Sequence, residues 1–209
     1  MNNMKNNEIE IKITMDNENL NKLLNLAIIK ENTVAGSERV LKLKNVYYDT
    51  KSKNLGAKRI VYRVRTTNDK EFEATIKTEK EVIGGYSSRM EYNVPLINDE
   101  ASIKGFKEQG FPLELETILA GEKLEILFTM LVERKRSLIQ ITENTLVEMA
   151  IDQGKITAGS KSELIDEVEF ELVQGEKGDL IKFVEALKER IIFKGERRSK
   201  YKRGLDLLK

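Results

Sequence analysis

The chain has 209 residues, with 36 Lys+Arg against 35 Asp+Glu for a net charge of +1, and it contains neither cysteine nor histidine. That double absence excludes a thiol nucleophile, a Ser-His-Asp relay, an imidazole base, the ordinary zinc sites and a disulfide-stapled fold. Chemistry is left to carboxylates, Lys, Arg, Tyr, hydroxyls and oxygen-ligated metals. The balanced charge gives no global field for nucleic acid or an anionic membrane, and no apolar run is long enough to span a bilayer. A single domain over 1–209, soluble and cytoplasmic, is the expectation.

In chain order, period-two alternation over 8–14 sets Glu8, Glu10 and Lys12 against Ile9, Ile11 and Ile13, which predicts a strand. Leu20, Leu23, Leu24, Ala27 and Ile28 then recur at helical spacing behind the capping candidates Asp16 and Asn17. A strand is expected from Val40 to Tyr48, and another over 60–66 with Arg63 and Arg65 opposite Tyr62 and Val64. Asn68-Asp69 reads as a hairpin turn leading into 71–77, where Glu71, Glu73, Thr75 and Lys77 oppose Phe72, Ala74 and Ile76. Gly84-Gly85 reads as a second turn, before a strand over 89–94 that sets Arg89, Glu91 and Asn93 against Met90, Tyr92 and Val94. Short helices are expected at 100–109 and 114–130.

Strands follow at 131–141, carrying Arg134 and Arg136 in one phase, and at 146–152, with Glu148, Ala150 and Asp152 against Val147, Met149 and Ile151. The last, at 166–173, sets Glu167, Glu169 and Glu171 against Val168, Phe170 and Leu172. Leu180, Phe183, Val184 and Leu187 predict a closing helix.

A strand with one charged face is by default half-buried with its charges in water. Here, however, the signs segregate by strand. Acids gather on the first strand and the last two, whereas the middle strands carry Arg63, Arg65, Lys77, Arg89, Arg134 and Arg136. Arginine predominates, which suits bidentate contact with phosphate. A sheet closed into a barrel would bury both walls, a cost offset only by pairing or by a ligand of opposite sign. Clustered carboxylates suit a hard divalent cation and an array of Arg and Lys suits a polyanion, so a metal-chelated polyphosphate satisfies both walls.

Glu8-Ile9-Glu10-Ile11-Lys12 resembles the ExExK signature of the CYTH superfamily, the triphosphate tunnel metalloenzymes. Further matches arrive in the family's order. They are Tyr47-Tyr48-Asp49-Thr50, Arg63-Val64-Arg65, Thr75-Ile76-Lys77, Arg89-Met90-Glu91 and Arg134-Lys135-Arg136. Glu148 through Gly154, Glu167 to Leu172 and Ser199 to Arg203 complete the series, so the likeness runs from 8 to 204. Asn93 departs from it, standing where many relatives carry another Glu, and leaves Arg89 and Glu91 between a structural and a ligand role.

The resemblance implies an α+β fold in which an eight-stranded antiparallel closed β-barrel, the tunnel, has its helices packed outside. It also implies Mg²⁺ or Mn²⁺ and a small-molecule triphosphate substrate, with no nucleic acid, no membrane and a homodimer left open. Metal ligands would come from Glu8, Glu10, Glu148, Asp152, Glu167, Glu169 and Glu171, with Glu167 and Glu169 favoured in the late strand. Phosphate would be held by Lys12, Arg63, Arg65, Lys77, Arg89, Arg134, Arg136, Lys200 and Arg203, and Glu8, Glu10, Lys12 and Lys200 would be catalytic. No histidine-aromatic element, a feature of the adenylate cyclase branch, precedes the signature. The expected activity is therefore hydrolysis of inorganic triphosphate, extending to nucleoside or thiamine triphosphates. The alternatives are a class IV adenylate cyclase and a non-catalytic polyphosphate- or nucleotide-binding module.

Overall fold

The protein is represented by a computed structural model that describes residues 9–79, 89–196 and 198–209. Nine strands form one antiparallel sheet: β1 (Glu10–Thr14), β2 (Arg39–Asp49), β3 (Ile60–Thr67), β4 (Glu71–Glu79), β5 (Arg89–Leu96), β6 (Glu125–Thr142), β7 (Thr145–Ala158), β8 (Lys161–Gln174) and β9 (Lys194–Gly195). Their order is β5-β4-β3-β2-β6-β7-β8-β1-β9. The helices are α1 (Asn17–Asn25), α2 (Ala27–Lys30), α3 (Asn54–Ala57), α4 (Leu115–Leu119), α5 (Lys177–Lys188) and α6 (Lys200–Leu207). The sheet curls until side chains from β1 and β5, far apart in strand order, line one cavity.

Alternation decides which side of the sheet faces outward. On β1, β7 and β8 the apolar phase presents Ile13, Met149, Ile151, Val168 and Phe170 to Leu23 of α1 and to Leu180, Phe183, Val184 and Leu187 of α5. On β3 to β5, Tyr62, Val64, Ala74, Ile76, Tyr92 and Val94 pack with Leu55, Phe106, Phe111, Leu115 and Leu119. Each fully buried side chain of this size contributes roughly 1.5–3 kcal/mol, enough to hold the helices against the barrel wall. These two clusters fix the charged phase toward the interior.

A third cluster lies inside one end of the curl. Tyr47, Phe128, Met130, Val132, Ile156 and Ile165 meet Tyr201 and Leu205 of α6. The Tyr47 and Phe128 rings stack with centroids 4.6 Å apart, and Gly204 lets the helix lie directly on Phe128, since a Cβ there would stand 2.3 Å from the ring. α6 packs against this end, and Leu43, Tyr47, Met130, Tyr201 and Leu205 of the cluster line the cavity together with the charged residues.

Several local expectations change. The helix expected from Leu20 to Ile28 divides at Leu26, whose ψ of 136° is extended, into α1 and α2. Residues 100–109 form irregular chain and turns rather than a helix, and the helix expected over 114–130 stops at Leu119. Ala120 and Gly121 both take positive φ, which terminates α4, and β6 is already extended from Glu125. Asn68 and Asp69 do form the hairpin turn, with φ of 51° and 58°. The Gly84-Gly85 turn lies outside the described residues.

Candidate functional site

Cross-strand register stacks the predicted site residues in layers. In the layer nearest the mouth, Glu10 of β1 faces Glu171 of β8, which faces Glu148 of β7. One layer deeper, Lys12 faces Glu169, followed by Ala150 and Arg136. Deeper again, Glu167 faces Asp152, which faces Arg134. On the opposite wall Arg63 lies beside Thr75 and Asn93, Lys77 lies beside Glu91, and Arg65 lies beside Asn45. Of these, the side chains of Glu10, Lys12, Arg63, Arg65, Lys77 and Arg134 are among those that line a cavity of about 830 Å³.

At its floor α6 delivers Lys200, positioned by Ser199, whose hydroxyl caps the helix at the Lys202 N–H. Lys200 Nζ lies 2.6 Å from Glu167 Oε2, 2.7 Å from Glu169 Oε1 and 2.9 Å from Asp152 Oδ2. Arg134 makes a fork with Asp152, its Nε and Nη2 donating at 2.6 and 2.7 Å, and Nη2 also reaches Glu169 Oε2 at 2.7 Å. Lys12 completes the set, 3.2 Å from Glu169. Burial by itself would raise the carboxyls of Asp152 and Glu169, but Arg134 and Lys200, joined at Glu169 by Lys12, hold both below their ordinary values. Burial likewise opposes the charge on Lys200, and the three carboxylates outweigh it and raise its pKa.

The basic wall is different in kind. Burial, with Arg63 and Arg134 nearby, pulls the Arg65 guanidinium down to about 10. Its Nε donates to Asn45 Oδ1 at 2.8 Å, a neutral partner. Arg63 Nη2 donates to Thr75 Oγ1 at 2.8 Å and lies 3.9 Å from Glu91. Lys77 and Glu91 pair at 2.5 Å, giving Glu91 a charge-balancing place in this wall. Arg136 pairs with Glu148 at 3.1 Å across the mouth.

Two expected ligands lie outside this cavity. Arg203 turns away beneath α6, where it bonds Glu167, the Leu164 carbonyl and, at 2.8 Å, Glu163. Glu167 is buried between Lys200 and Arg203 and does not line the cavity, so in the late strand the lining carboxylates are Glu169 and Glu171. The cause is α6: the sequence marks the inward phase of β8 but not the helix that covers its lower end. Glu8 and the side chain of Arg89 lie outside the described residues. Asn45 was absent from the expected set; a lone amide in the inward phase of Leu43 and Tyr47 is the signal that marks it.

Among the described residues no group of three or more carboxylates forms a ready-made metal cage. The donor set nonetheless fits a hard cation. Register sets Glu10 opposite Glu171 and Glu171 opposite Glu148, three carboxylates in one layer that line the cavity, with Lys12 3.7 Å from Glu10 and Arg136 3.1 Å from Glu148. Mg²⁺ accepts few carboxylates and completes its shell with phosphate oxygen and water. No helix among the described residues is long and apolar enough to cross a membrane.

The CYTH domain model matches residues 6–205. Over 163 residues the chain is 37% identical to the inorganic triphosphatase of Haemophilus influenzae, covering 78% of this chain and 45% of that protein. The chain thus spans a little under half the length of this curated relative. Among solved structures, it resembles a candidate adenylyl cyclase from Hippeastrum described as having a dominant triphosphatase activity, with a TM-score of 0.59, 17% identity and 95% of each chain covered. A candidate adenylate cyclase from Bacillus halodurans follows, with a TM-score of 0.55, 20% identity and 97% and 98% coverage. At these identities the likeness to both structures is one of fold. The match over nearly the whole chain, on a curled antiparallel sheet with opposed charged walls, places this chain in the CYTH domain family.

Proposed function

We propose that this protein is a metal-dependent hydrolase that cleaves the terminal phosphoanhydride bond of inorganic triphosphate, using Mg²⁺ or Mn²⁺. The carrying observation is the opposition of two walls across one cavity: Arg63 and Arg65, hydrogen-bonded to Thr75 and Asn45, facing a row of carboxylates. The likeness to an inorganic triphosphatase supports the choice of substrate.

In this reading Arg63, Arg65, Lys77 and Arg136 grip the phosphate chain, and Lys12 and Arg134 meet it from the acidic side. Glu10, Glu171 and Glu148, with Glu169 behind them, would hold the cation, which supplies charge neutralisation on the phosphate oxygens and lowers the pKa of a bound water. A water adds to the terminal phosphorus, the bridging P–O bond breaks, and pyrophosphate leaves with orthophosphate as the second product. Glu10 and Glu171 accept hydrogen bonds from that water and orient it. Most of the work in phosphoryl transfer is positioning and charge stabilisation, which a site without histidine can perform.

The test is incubation of purified protein with tripolyphosphate, thiamine triphosphate or ATP in Mg²⁺ or Mn²⁺, with products identified. Orthophosphate and pyrophosphate from tripolyphosphate are expected. Cyclic AMP from ATP would assign a cyclase instead, and binding without turnover would assign a binding module.

A further inference from the structure

The two central arginines of the basic wall are held by uncharged groups. Arg65 Nε donates to Asn45 Oδ1 at 2.8 Å. Arg63 Nη2 donates to Thr75 Oγ1 at 2.8 Å, and Thr75 Oγ1 in turn donates to Asn93 Oδ1 at 2.8 Å. Asn45 and Thr75 are completely buried, so the partners are built into the wall. Among the described residues Arg65 makes no ion pair, although Glu73 is its cross-strand neighbour, and Arg63 has a long one to Glu91 at 3.9 Å.

The deep acids on the other wall are treated oppositely. Asp152, Glu167 and Glu169 each meet Lys200, and Arg134 binds two of them. The deep acids are thus held by direct ion pairs, whereas on the other wall Glu91 pairs with Lys77, and Arg65 has Glu73 as its cross-strand neighbour with no ion pair to it. A guanidinium donates only, so Asn45 must present its oxygen to Arg65 and its amide nitrogen elsewhere. That nitrogen, Asn45 Nδ2, and Arg63 Nε are both buried and have no acceptor among the described residues. Arginines that are fixed in direction by neutral hydrogen-bond partners, with donors to spare, are suited to an oxyanion.

We propose that Asn45, Thr75 and Asn93 form an uncharged positioning network that aims Arg63 and Arg65 at the phosphate chain with no carboxylate among the described residues hydrogen-bonded to either, making Asn45 and Asn93 determinants of triphosphate affinity. The inference rests on the triphosphatase reading and adds residues that act through the arginines rather than on substrate. Asn93 being an amide has a defined consequence: a carboxylate there would couple through Thr75 to Arg63 and reduce its pull on phosphate.

Isosteric Asn45→Asp and Asn93→Asp variants separate positioning from packing. Binding of tripolyphosphate is measured by calorimetry in EDTA, melting temperature without ligand, and turnover with Mg²⁺. Asn45→Asp is expected to raise the melting temperature, because Arg65 gains a charged partner, and to weaken tripolyphosphate binding by roughly tenfold or more. Asn93→Asp is expected to raise KM by a similar factor with a smaller change in kcat. A merely structural role would move stability and affinity together. Wild-type affinity in both folded variants overturns the network and leaves the hydrolase reading intact. Binding without orthophosphate release by the wild type sinks the hydrolase and leaves the network, and absence of tripolyphosphate binding to the wild type overturns both.

Discussion

Lys200 Nζ sits 2.7 Å from Glu169 Oε1, and this contact ties the last helix of the chain to the inner face of β8. Both groups are buried, and Asp152 and Glu167 share the same ammonium. Replacing Lys200 by Met leaves three carboxylates with one fewer cation. Breaking a buried pair in this way costs about 3–5 kcal/mol. Urea denaturation is expected to show that loss, together with loss of tripolyphosphate turnover; stability within 1 kcal/mol of wild type, on the order of an exposed pair, would contradict the arrangement.

Acid should unfold the protein through the same cluster. Asp152 and Glu169 have folded pKa values below their ordinary 3.8 and 4.5, so their stabilisation is complete above about pH 5 and is lost as the pH falls toward the folded values. Lys200 is raised above 10.5, so its contribution is complete below about pH 10 and is lost as the pH rises through the raised value. Denaturation across pH is expected to give a plateau between these limits and a steep fall below about pH 4. Stability that increases from pH 5 to pH 3 would be inconsistent with this cluster.

The carboxylate row is expected to set the metal dependence of turnover. Glu171→Gln removes the central carboxylate of the layer it shares with Glu10 and Glu148. The half-saturating Mg²⁺ concentration should rise roughly tenfold or more, as removal of a ligand carboxylate does. Glu10→Gln is expected to abolish turnover. Unchanged Mg²⁺ dependence in both variants would remove the row from the site.

Arg203 and Arg65 separate structure from binding. Arg203 is bonded to Glu163 and Glu167 beneath α6, so Arg203→Leu should lower the melting temperature with little change in tripolyphosphate KM for the folded fraction. Arg65→Ala should weaken tripolyphosphate binding by roughly tenfold or more without a matching loss of stability, since that guanidinium is held at an electrostatic disadvantage. The reverse pattern of effects would exchange the two roles.

Gly204 tests the seat of α6. An added Cβ would meet the Phe128 ring at 2.3 Å, so Gly204→Ala must shift the helix or the ring and is expected to cost about 2 kcal/mol. Because Lys200 rides on the same helix, turnover should fall further than the loss of folded protein explains. A variant with wild-type melting and kinetics would show that α6 has room to move.

The alternation of single residues determined a great deal by itself. The phases of Glu10 and Lys12, Arg63 and Arg65, and Glu148 to Asp152 predict strands with charge on one side, and each phase is inward in the folded protein. Period-two patterning is local, so it survives without knowledge of partners. Pairing is not local. That Glu10, Glu171 and Glu148 share one layer, that Glu167 is sealed behind Lys200, and that Arg65 rests on an amide twenty positions earlier all follow from register and from the seating of α6. The sequence thus settled which residues face inward. Only the tertiary structure decided which of those charges neutralise one another and which remain for a ligand, because charge pairing depends on distances of a few ångströms between segments far apart in the chain.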